Sequence, residues 1–161
     1  MLFTVDRVQK VQKGGTMLRY RALVVGGNSN GVIGFGVGKA NGPEEATIAA
    51  SRKAKKNIIF VEPFMGRGLT NDLVGKHNSC LVHLRATGLK RPLKGNPMVS
   101  EILKRAGITC CSSKSHGNRN PYNIVRATFK ALMTHDSIEE IAMKRGRRFI
   151  NMDRAKRLQL T

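Results

Sequence analysis

The sequence predicts an α+β protein. Segments alternating with a period of two come in runs, helix signals follow the runs, and short glycine-bearing turns separate the strands. Residues 5–12 predict a first strand, and Lys13-Gly14-Gly15 a basic turn after it. In residues 16–25, Leu18, Tyr20, Ala22 and Val24 share one face, and Arg19 and Arg21 share the other. Asn30-Gly31 is a reversal signal because both residues tolerate positive φ, and residues 32–39 follow as a third strand. Three strands joined by short turns make an antiparallel meander.

The third strand sets Ile33, Phe35 and Val37 on one face and Gly34, Gly36 and Gly38 on the other. Glycine weakens a strand, so three on one face imply a backbone approaching closely, from a helix or a ligand. Lys39 closes the strand with a positive charge, and in so basic a chain a sugar-phosphate backbone is a natural candidate for that neighbour. A helix follows. Gly42-Pro43-Glu44-Glu45 gives proline at the first helical position and acids in the first turn. Ala46, Ala50, Ala54 and Ile58 form one row at i+4 spacing, while Arg52, Lys53, Lys55 and Lys56 cover the opposite side. The helix is expected to end near Val61, ahead of Pro63. Pro63-Phe64-Met65-Gly66-Arg67-Gly68 marks a boundary, giving a first domain over 1–66, a second over 67–148 and a basic tail over 149–161.

In the second half, residues 69–76 predict a strand. Over 80–87, Cys80, Val82, Leu84 and Ala86 point one way and His83 and Arg85 the other. A loop from Gly88 to Asn96 carries Lys90, Arg91 and Lys94. Pro97 starts a helix that stops at Gly107, and residues 108–114 predict a strand. Asn120-Pro121 starts another helix, whose buried side is Ile124, Val125, Thr128, Phe129 and Leu132. Ser137-Ile138-Glu139-Glu140 has capping-box spacing and opens a last short helix ending at Gly146.

The 161 residues carry 29 Lys+Arg against 10 Asp+Glu, a net charge of +19. That balance points to a polyanionic partner, above all nucleic acid. Residues 1–66 hold 10 basic and 4 acidic side chains and residues 67–161 hold 19 and 6, so the charge is not confined to a tail. A hydrophobic content of 40% excludes a disordered basic protein. With six Phe, two Tyr and no Trp, few platforms exist for stacking single-stranded bases, which favours backbone and shape recognition of folded RNA. Three cysteines make no disulfide framework and indicate a reducing compartment. No apolar run approaches membrane-spanning length, and no membrane partner is expected.

Three motifs are decoys. Gly27-Asn28-Ser29-Asn30-Gly31 matches a hydrolase nucleophile elbow, but that elbow needs a helix after it and here a strand follows. Gly34-x-Gly36-x-Gly38-Lys39 resembles a phosphate loop, but position 33 is Ile and position 40 is Ala where the Walker pattern needs Gly and Ser or Thr. His77, Cys80 and His83 suggest metal, but odd spacing along a strand puts Cys80 opposite both histidines.

The run from Val8 to Ala40, with its Lys-Gly-Gly turn and its Asn-Gly-x-x-Gly-Phe-Gly-x-Gly-Lys-Ala strand, resembles the small-subunit ribosomal protein five family of bacterial type. The block Lys114-Ser115-His116-Gly117-Asn118-Arg119-Asn120-Pro121-Tyr122-Asn123-Ile124-Val125-Arg126-Ala127-Thr128 resembles it as closely, and Ala54-Lys55-Lys56-Asn57 fits between them. The resemblance covers roughly residues 4–148. It implies two domains: a β-β-β-α unit resembling a double-stranded-RNA-binding fold, and a two-layer α/β unit with a left-handed crossover. It also implies a structural, non-enzymatic constituent of the small ribosomal subunit. Such a protein binds small-subunit rRNA, contacts small-subunit ribosomal proteins four and eight, helps line the channel through which mRNA enters, and influences decoding accuracy. The Lys13-Gly14-Gly15 turn resembles the loop near the spectinomycin site. Three departures stand out. Arg85 to Gly95 replaces a small-residue, glycine-rich stretch, the residues after Arg148 go beyond the common pattern, and Cys110-Cys111 is atypical. They lean the reading toward an organellar ribosome, mitochondrial before plastid, with a bacterial cytoplasm as the alternative.

The expected rRNA contacts follow from charge, backbone access and the resemblance together. In the first two strands they are Lys10, Lys13, Gly14, Gly15, Arg19 and Arg21. Around the glycine strand they are Asn28, Asn30, Gly34, Gly36, Gly38 and Lys39. On the helix they are Arg52, Lys53, Lys55 and Lys56. In the second half they are Lys76, Lys114, Asn118, Arg119, Asn120 and Arg126. No catalytic residue, metal or cofactor is expected. The rival readings are a free-standing double-stranded-RNA binder built on residues 1–62 and a serine hydrolase built on Ser29.

Overall fold

The computed structural model describes residues 1–150, so the tail expected over 149–161 lies, from residue 151 on, outside the described residues. Four strands form the first sheet: β1 (Leu2–Gln12), β2 (Gly15–Gly27), β3 (Val32–Ala40) and β4 (Ile58–Phe60), in the order β1-β2-β3-β4 with every pairing antiparallel. The predicted meander is present with longer strands. Gln12 pairs with Gly15, so Lys13 and Gly14 alone make the first turn, and Gly15 takes φ +128°. The second turn is closed by Asn28, whose Oδ1 accepts from Asn30 N at 2.8 Å and from Val32 N at 3.1 Å.

Helix α1 (Pro43–Lys56) lies on the glycine face of β3. Ala46, Ala50 and Ala54 are buried there, as their i+4 row predicts. The fourth rung, Ile58, is not helical. The helix stops at Lys56, five residues short of the expected end, and Ile58–Phe60 pairs with β3 through Ile33↔Ile59. Two β-branched residues and an aromatic are better strand than helix formers, and β3 offers a free edge for them.

The second sheet holds β5 (Leu73–His77), β6 (Cys80–Ala86) and β7 (Cys111–Gly117), antiparallel in the order β5-β6-β7. β5 starts later than the predicted 69–76, and β7 is displaced three residues from 108–114, because its register is set by Ala86↔Cys111. Helix α2 (Pro97–Ala106) is capped by Asn96, whose side chain accepts from Met98 N at 2.9 Å, and closed by Gly107 at φ +85°. A parallel bridge, Lys94↔Ser112, sits just before α2, so the chain crosses over from that bridge through α2 to β7. Helix α3 (Pro121–Met133) buries Ile124, Val125, Thr128, Phe129 and Leu132 as expected, and α4 (Ile138–Lys144) carries the predicted capping box between Ser137 and Glu140.

Each half has its own sheet, but the two share one apolar core. Leu23, Val25 and Ile33 on the far face of the first sheet cluster with Ile102, Leu103, Val125 and Phe129 of the second half. The Phe35 and Phe129 rings meet at 4.6 Å between centroids. The β2–β3 turn docks on the end of α2 through Ser29 N to Arg105 O and Gly31 N to Ala106 O, both 2.9 Å.

Candidate nucleic-acid interface

One face of the first sheet changes character along its length. Toward the β2–β3 turn it is the apolar surface buried in the shared core. Toward the β1–β2 hairpin it becomes a groove of about 430 Å³ lined by Lys10, Arg19, Arg21 and Lys39, with Val8, Gln12 and Met17. Strand register assembles it: Val8 faces Arg19, Lys10 faces Met17, and Arg21 faces Lys39. Antiparallel partners lie about 5 Å apart, so cations from three strands converge although their sequence spacing is wide. Lys13 caps the hairpin tip, exposed with Gly14 and Gly15.

The opposite face does not meet a ligand. A Cβ placed on Gly34 would lie 2.5 Å from the Ala54 carbonyl, and one on Gly36 or Gly38 would collide with the backbone of Ala50 or Ala46. The expectation that Gly34, Gly36 and Gly38 meet a sugar-phosphate backbone is therefore corrected: all three are buried, and their close neighbour is α1. Arg52, Lys53, Lys55 and Lys56 are exposed on the outer side of that helix. Three of them lie in its last turn, where cations also oppose the helix dipole.

Arg21 also departs from expectation. It lines the groove, but its guanidinium is engaged within the protein. Nη2 donates to Asp6 Oδ2 at 3.2 Å, and Cζ sits 4.0 Å over the Tyr122 ring. The Tyr122 hydroxyl donates to the same Asp6 oxygen at 2.7 Å. Burial first, and then the hydrogen bond to Asp6, push the Tyr122 phenol above its ordinary value, so it is a neutral donor. Sequence reasoning missed Tyr122. It lies 116 residues from Asp6, and no local pattern connects them.

The second half presents another basic area. Lys76 and Lys114 point outward from the second sheet, and Arg85 lies diagonal to Lys114 across the β6–β7 ladder. His83 and His116 stand edge to face with centroids 5.5 Å apart. Arg126 Nη1 lies 3.4 Å from His77 Nε2, and Lys130, one turn further along α3, adds a cation that no sequence motif marks. Burial, then Lys130 and Arg126, hold His77 below the usual imidazole range. In the loop before α3, Arg119 is exposed, but the carbonyl oxygens of Asn118 and Asn120 are occupied. Asn118 Oδ1 accepts from Asn120 N at 2.8 Å, and Asn120 Oδ1 caps α3 through Tyr122 N at 3.0 Å. Asn28 is likewise committed to its turn, while Asn30 is exposed.

The serine and cysteine decoys gather no chemistry either. Ser29 sits at φ +58° in a turn followed by β3, with its backbone held by Arg105 and its carbonyl against Gly107. Cys80, Cys110 and Cys111 are buried thiols, and burial pushes Cys111 up to about 12, where no thiolate forms at neutral pH. Among the described residues, no three His, Cys, Asp or Glu side chains converge on a metal position, and no helix is long and apolar enough to cross a membrane.

Two sheet-and-helix units fused through one core, with lysine and arginine displayed on a groove, a helix and a second sheet, define a scaffold protein for polyanions. The comparisons with known proteins name the family. The model of the ribosomal protein S5 N-terminal domain matches residues 2–62, and that of the ribosomal protein S5 C-terminal domain matches residues 75–145. The small ribosomal subunit protein uS5 of Rhodopseudomonas palustris (strain BisA53) is 42% identical over 149 residues, covering 90% of this chain and 76% of the relative. That of Methylobacterium sp. (strain 4-46) is 42% identical with the same coverage. This chain belongs to the ribosomal protein S5 family, whose members are structural proteins of the ribosome and not enzymes.

Proposed function

We propose that this chain is a structural constituent of the small ribosomal subunit and binds small-subunit rRNA through the groove of Lys10, Arg19 and Lys39, the hairpin tip at Lys13, and the exposed cations of α1. The observation that carries this reading is the groove: one face of one sheet turns from buried core to a row of cations with no carboxylate among its lining residues. Phosphate neutralisation supplies the affinity, and the exposed Gly14 and Gly15 at the tip let a backbone approach. Lys76 and Lys114 on the open face of the second sheet, and Arg119 and Arg126 at α3 on its other side, are the further cations that face rRNA or a neighbouring protein.

The finer reading adds small-subunit ribosomal proteins four and eight as neighbours, a place near the channel where mRNA enters, and an influence on decoding accuracy. It rests on the resemblance of the two motif blocks. The relatives are bacterial. A mitochondrial ribosome is proposed over a bacterial or plastid one from the basic Arg85–Gly95 stretch and the Cys110-Cys111 pair. A free-standing binder built on residues 1–62 is disfavoured, since separation would bare Leu23, Val25 and Ile33 to water. Sucrose-gradient sedimentation at subunit-preserving magnesium, with fractionation of organelles beforehand, tests both levels. The chain is expected in the small-subunit peak of the mitochondrial fraction. Recovery at the top of the gradient would overturn the ribosomal reading, and recovery from another compartment would overturn the mitochondrial one.

A further inference from the structure

The β1–β2 hairpin is an arm with little support beyond its own ladder. From Val5 to Gln12, β1 is exposed at every position but Asp6, with Val11 77% exposed. β1 reaches the second half of the chain at Asp6, whose Oδ2 accepts from the Tyr122 hydroxyl at 2.7 Å. The groove cations Lys10 and Arg19 lie beyond that bond, toward the tip. Tyr122 stands in the first turn of α3, directly after the Arg119 loop.

We propose that Tyr122 is a positioning residue for RNA binding: with Asp6 and Arg21 it clasps the arm to α3, so that the groove and the Arg119 loop form one rigid cationic surface. This rests on the rRNA reading above and names what holds that site in shape. The clasp has a second effect. Asp6 does not line the groove but is paired with its lining residue Arg21, and its Oδ2 is taken by both the Tyr122 hydroxyl and Arg21. A bare carboxylate there would repel a phosphate, whereas a carboxylate holding two donors presents little negative field. The stacked ring further fixes the Arg21 guanidinium, leaving Lys10, Arg19 and Lys39 as the free cations of the groove. A rigid surface binds a rigid RNA more tightly than a swinging arm does, because less motion is lost on binding.

Tyr122→Phe keeps the ring and its packing and removes only the hydroxyl. In the full-length protein without RNA, faster hydrogen exchange is expected over residues 4–12 and 15–21. With a transcript of small-subunit rRNA, binding is expected to weaken roughly tenfold, the lower end of the effect of one hydrogen bond to a charged group. Asp6→Asn combined with Tyr122→Phe should weaken it no further than the larger single effect, since both changes open one clasp. Ser137→Ala, which removes the cap of α4, serves as the stability control and should leave arm exchange and RNA affinity unchanged. Wild-type exchange and affinity in Tyr122→Phe would overturn the proposal, as would faster exchange with unaltered affinity, or equal weakening by Ser137→Ala. Failure of the wild-type protein to bind the transcript would instead overturn the rRNA reading on which the proposal stands.

Discussion

Gly36 of β3 rests directly on the backbone of Ala50 of α1, closer than any side chain on Gly36 would permit. The contact repeats at Gly34 with Ala54 and at Gly38 with Ala46. The repeat has a geometric cause. Four helical residues rise about 6 Å, and two strand residues rise about 6.6 Å, so an alanine every fourth position stays in step with a glycine every second. Gly36→Val inserts a branched side chain at the middle rung and must push the helix off the sheet. A loss of at least about 3 kcal/mol is expected, at the upper end of overpacking costs because backbone and not a flexible side chain must yield. Chemical denaturation measures it, and a midpoint within error of wild type would show that the helix can lift freely.

Replacing Arg52, Lys53, Lys55 and Lys56 by Gln leaves the alanine row in place, so the fold should persist. If these side chains meet phosphates, the slope of log K against log salt should become shallower by about 0.7–0.9 per lost contact. Binding titrations from low to moderate salt read that slope. An unchanged slope would assign the row to solvent.

Much of this architecture is legible in the chain, and the parts that are not share a cause. Helix starts at Pro43, Pro97, Pro121 and Ile138 follow from local chemistry, because proline and capping residues act within one turn. The end of α1 is not legible: Ile58 continues the alanine spacing, and only the free edge of β3 draws it into a strand. The glycine face announces a close neighbour, but choosing between helix and phosphate needs the alanine row to be placed opposite it in space. Charge drew attention to Arg21, yet its partners are Asp6 and Tyr122, and the second of these is distant in sequence. Each groove cation is legible singly in the sequence, whereas their convergence depends on strand register.

His135 gives the protein an acid-sensitive joint. Its Nε2 accepts from Thr70 N at 3.2 Å, tying the segment before β5 to the end of α3, and its Nδ1 is buried without a partner. Burial holds the imidazole below its ordinary value, against the opposing pull of Asp136, Glu140 and Glu62. A lowered folded-state value means that the unfolded chain takes up the proton first. The contribution of His135 is therefore complete above the ordinary value of about 6.5 and declines as pH falls from there toward the folded-state value. Thermal midpoints of wild type and His135→Gln between pH 7.5 and 5 should differ in slope, the wild type falling more steeply. Parallel curves would remove His135 from the pH response.

The groove and the helix row can be told apart by stability as well as affinity. Lys53, Lys55 and Lys56 sit at the C-terminal end of α1, where each cation offsets the partial negative charge of free carbonyls by about 0.3–1 kcal/mol. Their replacement should lower the thermal midpoint. Lys10, Arg19 and Lys39 have no such compensation. They crowd one groove with no acid among its lining residues, and none of the three forms an ion pair within the described residues. Like charges gathered in this way repel one another in the free protein and become favourable only when phosphates arrive. Replacing these three with Gln should hold or raise the thermal midpoint while weakening rRNA binding and flattening its salt dependence. That pairing of opposite effects marks a site arranged for a ligand and not for the fold. A fall in the midpoint with unchanged rRNA affinity would mean that the groove supports the hairpin and the RNA contacts lie elsewhere.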